Sequence, residues 1–253
     1  MSRFKFTISY LGGGFQGSQK QPNQHTVFGR IESLFFELFK QHIRCIPAGR
    51  TDTAVHAHHM VFHADFSFDF SIDRIQVAFL KHLVKDGIIL RSIDPVSTTF
   101  HALSSATERS YDYLFTFDHA LPHYLLNSVT LLFDAPRFIP SNNDLKRVFC
   151  GTKDWQILCN TSDVPSTVRT VIDVVLNIET YTPLFGTDIT IYRLSVRANG
   201  FLYRMVRHIT GILLHSMVNF TNMDNLIDYI CVCRPMNYSL APAQGLHLSV
   251  VSY

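Results

Sequence analysis

The sequence predicts an α+β protein in two halves, and three observations carry that reading. Residues 3–10 alternate Phe4, Phe6, Ile8 and Tyr10 with Arg3, Lys5, Thr7 and Ser9, the period of a strand buried on one face. Residues 27–39 place Phe28, Ile31, Leu34, Phe35, Leu38 and Phe39 at helical spacing. Residues 108–117 then return to strict alternation, with Tyr111, Tyr113, Phe115 and Phe117 on one side, so a second set of elements begins there. The boundary falls near residue 105, giving halves 1–105 and 106–253.

Taken in order, the chain opens on the strand at 3–10. A glycine-rich loop follows, Leu11-Gly12-Gly13-Gly14-Phe15-Gln16-Gly17-Ser18-Gln19-Lys20-Gln21, whose amides and lysine supply hydrogen-bond donors. Its consecutive glycines lack both the GxGxxG and the GKS spacing of nucleotide-binding loops. Thr26 is the expected N-cap of the helix at 27–39. A short apolar strand at 43–46 leads into a polar loop, and Met60, Phe62, Ala64 and Phe66 mark the strand beyond it. A helix at 72–83, with Ile75, Ala78, Phe79 and Leu83 on one side, precedes a strand at 88–93. Strand, helix, strand, strand, helix, strand is the element order of a ferredoxin-like domain.

The second half has a similar order without a sequence repeat. After the aromatic strand, a proline-bearing connection through Pro140 leads to a helix at 142–149 and a turn-rich stretch around Trp155. Strands at 168–180 and 188–197 pair around Thr182-Pro183. A turn at Asn199-Gly200 introduces a helix over 201–217, apolar at Phe201, Met205, Ile209, Ile212, Leu213 and Met217 and polar at Arg204, Arg207 and His208. A helical piece at 226–230 and a strand at 246–251 complete the chain.

Composition narrows the class. With 47% hydrophobic and 17% charged residues the chain is an ordinary globular one, and 22 Lys and Arg against 20 Asp and Glu leave a net charge of only +2. A surface for a polyanion must therefore be local, and Arg3, Lys5, Lys20, Arg30, Arg50, Arg204 and Arg207 are the stripe expected to form it. Five irregularly spaced cysteines, including the Cys231-Val232-Cys233 pair, fit reduced thiols better than a disulfide framework. Residues 1–10 read as a strand rather than a signal segment, and no apolar run approaches the roughly 18 residues of a membrane span, so the expected address is cytoplasmic.

Chemistry concentrates in Ala48-Gly49-Arg50-Thr51-Asp52-Thr53-Ala54-Val55-His56-Ala57, a loop between strands carrying a carboxylate, a guanidinium, hydroxyls and an imidazole. Asp52 alone reads as a turn residue. Arg50, Thr51 and Thr53 beside it shift the balance, as does the distant Arg207, costly to bury on an apolar helix without a carboxylate partner. Asp52 is the expected partner, and pairing would keep it ionised for service as nucleophile or base. Tyr111 reads either as core or as a flat ring for stacking on a base. His56 and His58 point to one side of their strand, His59 and His63 to the other, so four ligands do not converge and no metal is expected.

On these residues the chain resembles the tRNA pseudouridine synthase A family. Gly49 to Ala57 is similar to the family's GRTDxGVHA motif, and 10–21 to YDGxxFxGxQxQ. Phe100-His101-Ala102 before Ala106 to Tyr113, the helix start from Phe201 to Gly211 and Pro242-Ala243-Gln244-Gly245-Leu246 agree in the same order. The resemblance implies two ferredoxin-like (RRM-like) halves whose antiparallel sheets join across a central active-site cleft, assembled as a homodimer. It implies conversion of uridine to pseudouridine at positions 38 to 40 of the tRNA anticodon stem-loop, with no metal or cofactor and no membrane. It assigns catalysis to Asp52, base stacking to Tyr111, pairing with the aspartate to Arg207, displacement of the target base to Arg50 and packing on the uracil to Leu246. Thr51, Gln19, Lys20 and Arg204 join the expected RNA contacts. Ser18 stands where the family has Trp, Ala54 where it has Gly, and Leu103 where it has Arg. A β-carbon at 54 implies a negative φ and a slightly different turn. The rival readings are a non-catalytic RNA-binding module, which lacks an RNP1-like Gly-Phe-Gly-Phe pattern here, and a metal-dependent hydrolase using the histidines and Asp52.

Overall fold

The computed structural model of the chain describes residues 2–158, 165–222 and 238–253. Cys159, Cys231, Cys233 and the helical piece expected at 226–230 lie outside them. The protein is a mixed α+β structure that divides into two compact units, Met1–Glu108 with His247–Tyr253, and Arg109–Leu246. The C-terminal strand, expected in the second half, thus groups with the first unit.

The first unit holds β1 (Ser2–Tyr10), α1 (Val27–Phe39), β2 (Ile46–Pro47), β3 (His56–Phe66), α2 (Ile72–His82) and β4 (Ile88–Val96). β1 lies between β4 and β3, antiparallel to both, and β2 pairs antiparallel with β3. The apolar side of β1 meets α1 in an aromatic core. Phe6 stands opposite Phe62 with rings stacked at 4.7 Å, and Phe35 of α1 meets Phe66 edge-on at 5.8 Å. Thr26 caps α1 as expected, its Oγ1 accepting from the Gly29 N–H at 3.3 Å. The strand expected at 43–46 shrinks to Ile46 and Pro47. Ile43 and Cys45 are buried without strand pairing, and the Cys45 N–H donates to Glu32 Oε1.

The second unit holds β5 (Glu108–Thr116), β6 (Thr130–Leu131), α3 (Asn142–Phe149), β7 (Gly151–Asp154), β8 (Val168–Tyr181), β9 (Ile189–Ala198) and α4 (Met205–Asn219). Its strands run in the order β5-β9-β8-β7, all antiparallel, with β6 parallel to the end of β5. Tyr113, Phe115, Val174, Leu194 and Val196 fill its interior. The helix expected from 201 begins only at Met205. Arg204 takes φ +59°, a left-handed conformation that cannot sit inside a right-handed helix. The final strand, β10 (Leu246–Ser252), runs parallel to β3, with His247 beside His56. Among the described residues no helix is long and apolar enough to cross a membrane.

His63 on β3 makes the first unit's stability depend on pH. It is 3% exposed, and its Nδ1 accepts from the Ala102 N–H at 3.1 Å. Burial, then Arg3 and His101 beside it, lower its pKa to about 4 against the opposing pull of Asp65. The unfolded imidazole protonates near 6.5 while the native one stays neutral to about 4. Stability present above pH 6.5 is therefore lost progressively between 6.5 and about 4, with no further loss from this group below. His63→Asn, which keeps an acceptor but no titration, should flatten that part of a urea-midpoint against pH curve. An unchanged slope would contradict the assignment.

Candidate active site

In the first unit, Asp52 sits between two fixed points. On its N-terminal side Thr51 is buried and held at three atoms. Its N–H donates to Ser18 Oγ at 2.8 Å, its carbonyl accepts from the Ser18 N–H at 3.1 Å, and its Oγ1 meets the Tyr10 hydroxyl at 2.7 Å. On its C-terminal side the chain turns at once, the Val55 N–H closing onto the Asp52 carbonyl at 3.2 Å. The glycine-rich loop packs directly against this turn. A β-carbon on Gly12 would lie 2.1 Å from the Val55 carbonyl oxygen, so only glycine fits there. The Gly12 N–H instead donates to His56 Nδ1. Asp52 itself is half-buried and Arg50 exposed.

The expectation of a negative φ at Ala54 is overturned, for Ala54 adopts φ +66°. The turn keeps the backbone that glycine takes without strain, and the alanine bears a cost of about 1–2 kcal/mol. Ala54→Gly should relieve that strain, offset in part by greater freedom of the unfolded chain, for a net gain of about 0.5–1 kcal/mol. A raised thermal or urea midpoint is the expected result, and a fall of the same size would mean that the β-carbon packs usefully.

In the second unit, Tyr111 of β5 stands opposite Val196, and its half-buried ring meets Phe201 edge-on at 5.3 Å. Phe201 precedes α4 and buttresses this ring instead of belonging to the helix. Arg207 lies in the first turn of α4. Its Nε donates to the Ala241 carbonyl at 2.8 Å, and the Ala241 N–H returns a bond to the Arg207 carbonyl at 3.3 Å. Arg204 is exposed, its guanidinium 4.7 Å from the Tyr203 ring centre. His208 Nδ1 meets the Tyr238 hydroxyl at 2.7 Å. Burial, then Arg207 and Arg204, push its pKa down, which favours the neutral ring.

The segment before β10 is fixed from below. The buried Tyr113 hydroxyl donates to the Pro242 carbonyl at 2.9 Å and meets Thr130 Oγ1 at 2.8 Å. Burial raises the Tyr113 pKa, with Thr130 and Arg207 acting against it, so the phenol remains a donor. Gly245 has no room for a side chain, since a β-carbon would stand 2.6 Å from Thr130 Oγ1 and 2.7 Å from the Tyr113 ring. Leu246, 6% exposed, follows directly at the head of β10.

The sequence-predicted residues therefore fall into two groups: Gln19, Lys20, Arg50, Thr51 and Asp52 in the first unit, and Tyr111, Arg204, Arg207 and Leu246 in the second. Thr51 uses its hydroxyl inside the protein. The expected basic stripe is largely neutralised, because Arg3 pairs with Asp65, Lys5 with Asp94, Lys20 with Glu32 and Arg30 with Asp86. Gln19, Arg50 and Arg204 remain at the surface. The histidines form a stack, His247 lying 4.6 Å from His56 and 5.1 Å from His58, ring centre to ring centre. Among the described residues no group of three His, Cys, Asp or Glu is placed to hold a metal ion. Tyr10, Tyr113 and Phe201 serve as supports that carry no distinguishing mark in the sequence. Their positions in alternating or apolar runs marked them only as core.

Comparison with known proteins agrees with the motifs. A family model described as tRNA pseudouridine synthase matches residues 146–253. The tRNA pseudouridine synthase A of Dictyoglomus turgidum is 32% identical over 268 aligned residues, spanning all of both chains. That of Halalkalibacterium halodurans is 35% identical over 249, covering 97% of this chain and 90% of the relative. The Hydrogenobaculum protein of the same name is 28% identical over 259, again along the whole of both.

Proposed function

Because this chain belongs to the tRNA pseudouridine synthase A family, we propose that it is an isomerase converting uridine to pseudouridine in tRNA, with Asp52 as its catalytic carboxylate. The observation that carries the reading is the turn that presents Asp52, anchored before it through Thr51 and closed after it at Val55. Pre-set geometry is what a reacting carboxylate needs.

The reaction exchanges one glycosidic bond for another within the same nucleotide. The bond from C1′ to N1 breaks, the detached uracil rotates, and C1′ bonds to C5. C5 loses its hydrogen as a proton and N1 gains one, so substrate and product are isomers. An ionised Asp52 can open the sequence by attacking C1′ or by removing the 2′ proton. By the family resemblance Arg207 is the arginine assigned to the aspartate, Tyr111, steadied by Phe201, is the ring assigned to stack on the loose base, and Leu246 is the apolar residue assigned to pack on the uracil. A uridine within a stem must first leave the stack, at a cost of a few kcal/mol, and Arg50 fills the vacancy. Gln19 and Arg204 contact the RNA backbone. Lys20 joins them by exchanging its exposed pairing with Glu32 for a phosphate.

The target is uridine at positions 38 to 40 of the anticodon stem-loop, and the protein acts in the cytoplasm as a homodimer of chains built from two ferredoxin-like halves. The strand order β4-β1-β3 with β2 on β3 supports that description of the first half. No metal or cofactor enters the reaction. The test uses anticodon stem-loop transcripts carrying uridine at 38, 39 or 40 alone, incubated with protein and a chelator and mapped chemically for pseudouridine. Modification at one or more of these positions is expected. Bound but unmodified RNA would favour a binding module, and RNA cleavage suppressed by the chelator would favour the hydrolase.

A further inference from the structure

We infer that Ser18 and Tyr10 are positioning residues for Asp52, acting together through Thr51. The inference rests on the proposed reaction and assigns it a part that neither the carboxylate nor its arginine performs.

Ser18 is fully buried, with Gly12, Phe15 and Gly17 of the same glycine-rich loop buried beside it. Every polar atom of it that could serve the fold is engaged. Its carbonyl accepts from the Phe28 N–H at 3.0 Å in the first turn of α1, while its Oγ and N–H grip the N–H and carbonyl of Thr51. α1 is in turn fixed in the aromatic core by Phe28, Ile31, Leu34 and Phe35. A continuous chain of bonds thus runs from the helix through Ser18 to the peptide group joining Thr51 to Asp52.

That peptide plane is what Ser18 controls. With the Thr51 N–H and carbonyl both held, the planes on either side of Thr51 are fixed, and the second one ends on the Asp52 nitrogen. Tyr10, at the end of β1, fixes the Thr51 side chain from a separate element. Thr51 therefore cannot rotate without breaking bonds to two elements, and the Asp52 carboxylate inherits its direction from both. Misplacement by about 1 Å is enough to cost on the order of a hundredfold in a reaction that depends on geometry. A tryptophan at position 18 would carry an indole N–H, a donor only, and could not accept from Thr51 N–H. The hydroxyl of Ser18 is therefore this chain's own means of aiming the loop.

The test is single-turnover modification of tRNA at saturating protein, with tRNA affinity and thermal midpoint measured for each variant. Ser18→Ala is expected to lower the rate about tenfold with affinity within twofold of wild type. Ser18→Thr, which keeps the hydroxyl, should recover most of the rate. Tyr10→Phe should slow the reaction less, and the double variant Tyr10→Phe with Ser18→Ala should fall short of the product of the two effects, because both act on one residue. A folded Ser18→Ala with the wild-type rate, a loss confined to affinity, or a folded Ser18→Thr as slow as Ser18→Ala would each overturn the inference. Should Ser18→Ala fail to fold, Tyr10→Phe decides, and an unchanged rate there overturns it. Product absent with wild-type protein would instead sink the proposed reaction, and this inference with it.

Discussion

Asp52→Asn should lower the single-turnover rate of pseudouridine formation by about a thousandfold or more, with tRNA affinity within a few-fold of wild type. Asparagine matches aspartate in shape, and the contact that closes the turn uses the Asp52 backbone carbonyl rather than its side chain. Thr51 on one side and Val55 on the other keep their bonds, so the loop should hold its form. What disappears is the negative charge. A carboxamide neither attacks C1′ nor removes a 2′ proton at a useful rate, so both openings of the reaction close together. Chemical mapping after a single turnover, paired with filter binding, reads the two quantities separately. A variant within tenfold of wild type would move the chemistry to another group.

Arg207→Lys should cost about a hundredfold in the same assay, although the charge is conserved. Arginine at this position is unfavourable for the helix itself, since a cation in the first turn of α4 opposes the helix dipole. The helix therefore gains nothing from the charge at this position. The Nε already holds the Ala241 carbonyl, which fixes the plane of the guanidinium and aims the rest of the fork. Lysine has a single ammonium on a flexible stem and cannot both hold Ala241 and meet a carboxylate edge to edge. Near-normal turnover by the lysine variant would show that charge alone suffices and would count against a planar pairing with Asp52.

Much of the local structure was legible because it follows from short-range pattern. α1 runs over the predicted 27–39 with the predicted cap at Thr26, and the paired strands β8 and β9 fall where alternation puts them. What escaped has physical causes. β6 is two residues long and β7 is the polar run Gly151-Thr152-Lys153-Asp154, so neither carries an apolar period. The late start of α4 depends on a left-handed Arg204, which no residue preference announces. The grouping of the C-terminal strand with the first unit is a contact across nearly the whole chain, invisible to any window.

The candidate site divides in the same way. Asp52 and Arg50 stand out because a polar cluster among small residues is unusual between strands. Ser18 does not, since its partnership with Thr51 spans 33 positions and looks in sequence like one more small residue beside glycine. Charge misled for a related reason. Composition counts Arg3, Lys5, Lys20 and Arg30 as basic, whereas the fold sets each against a carboxylate. Ala54 shows the converse, a β-carbon kept in a glycine conformation because the turn closed by Val55 outweighs the strain of one residue.

The most direct test of the account is release of tritium from tRNA labelled at C5 of uridine, because joining C1′ to C5 must expel the hydrogen there. Wild-type protein is expected to release tritium in step with the pseudouridine formed, and Asp52→Asn, bound to the same tRNA, to release none above background. Label retained on tRNA that the wild-type protein binds, or released by Asp52→Asn at the wild-type rate, would contradict it.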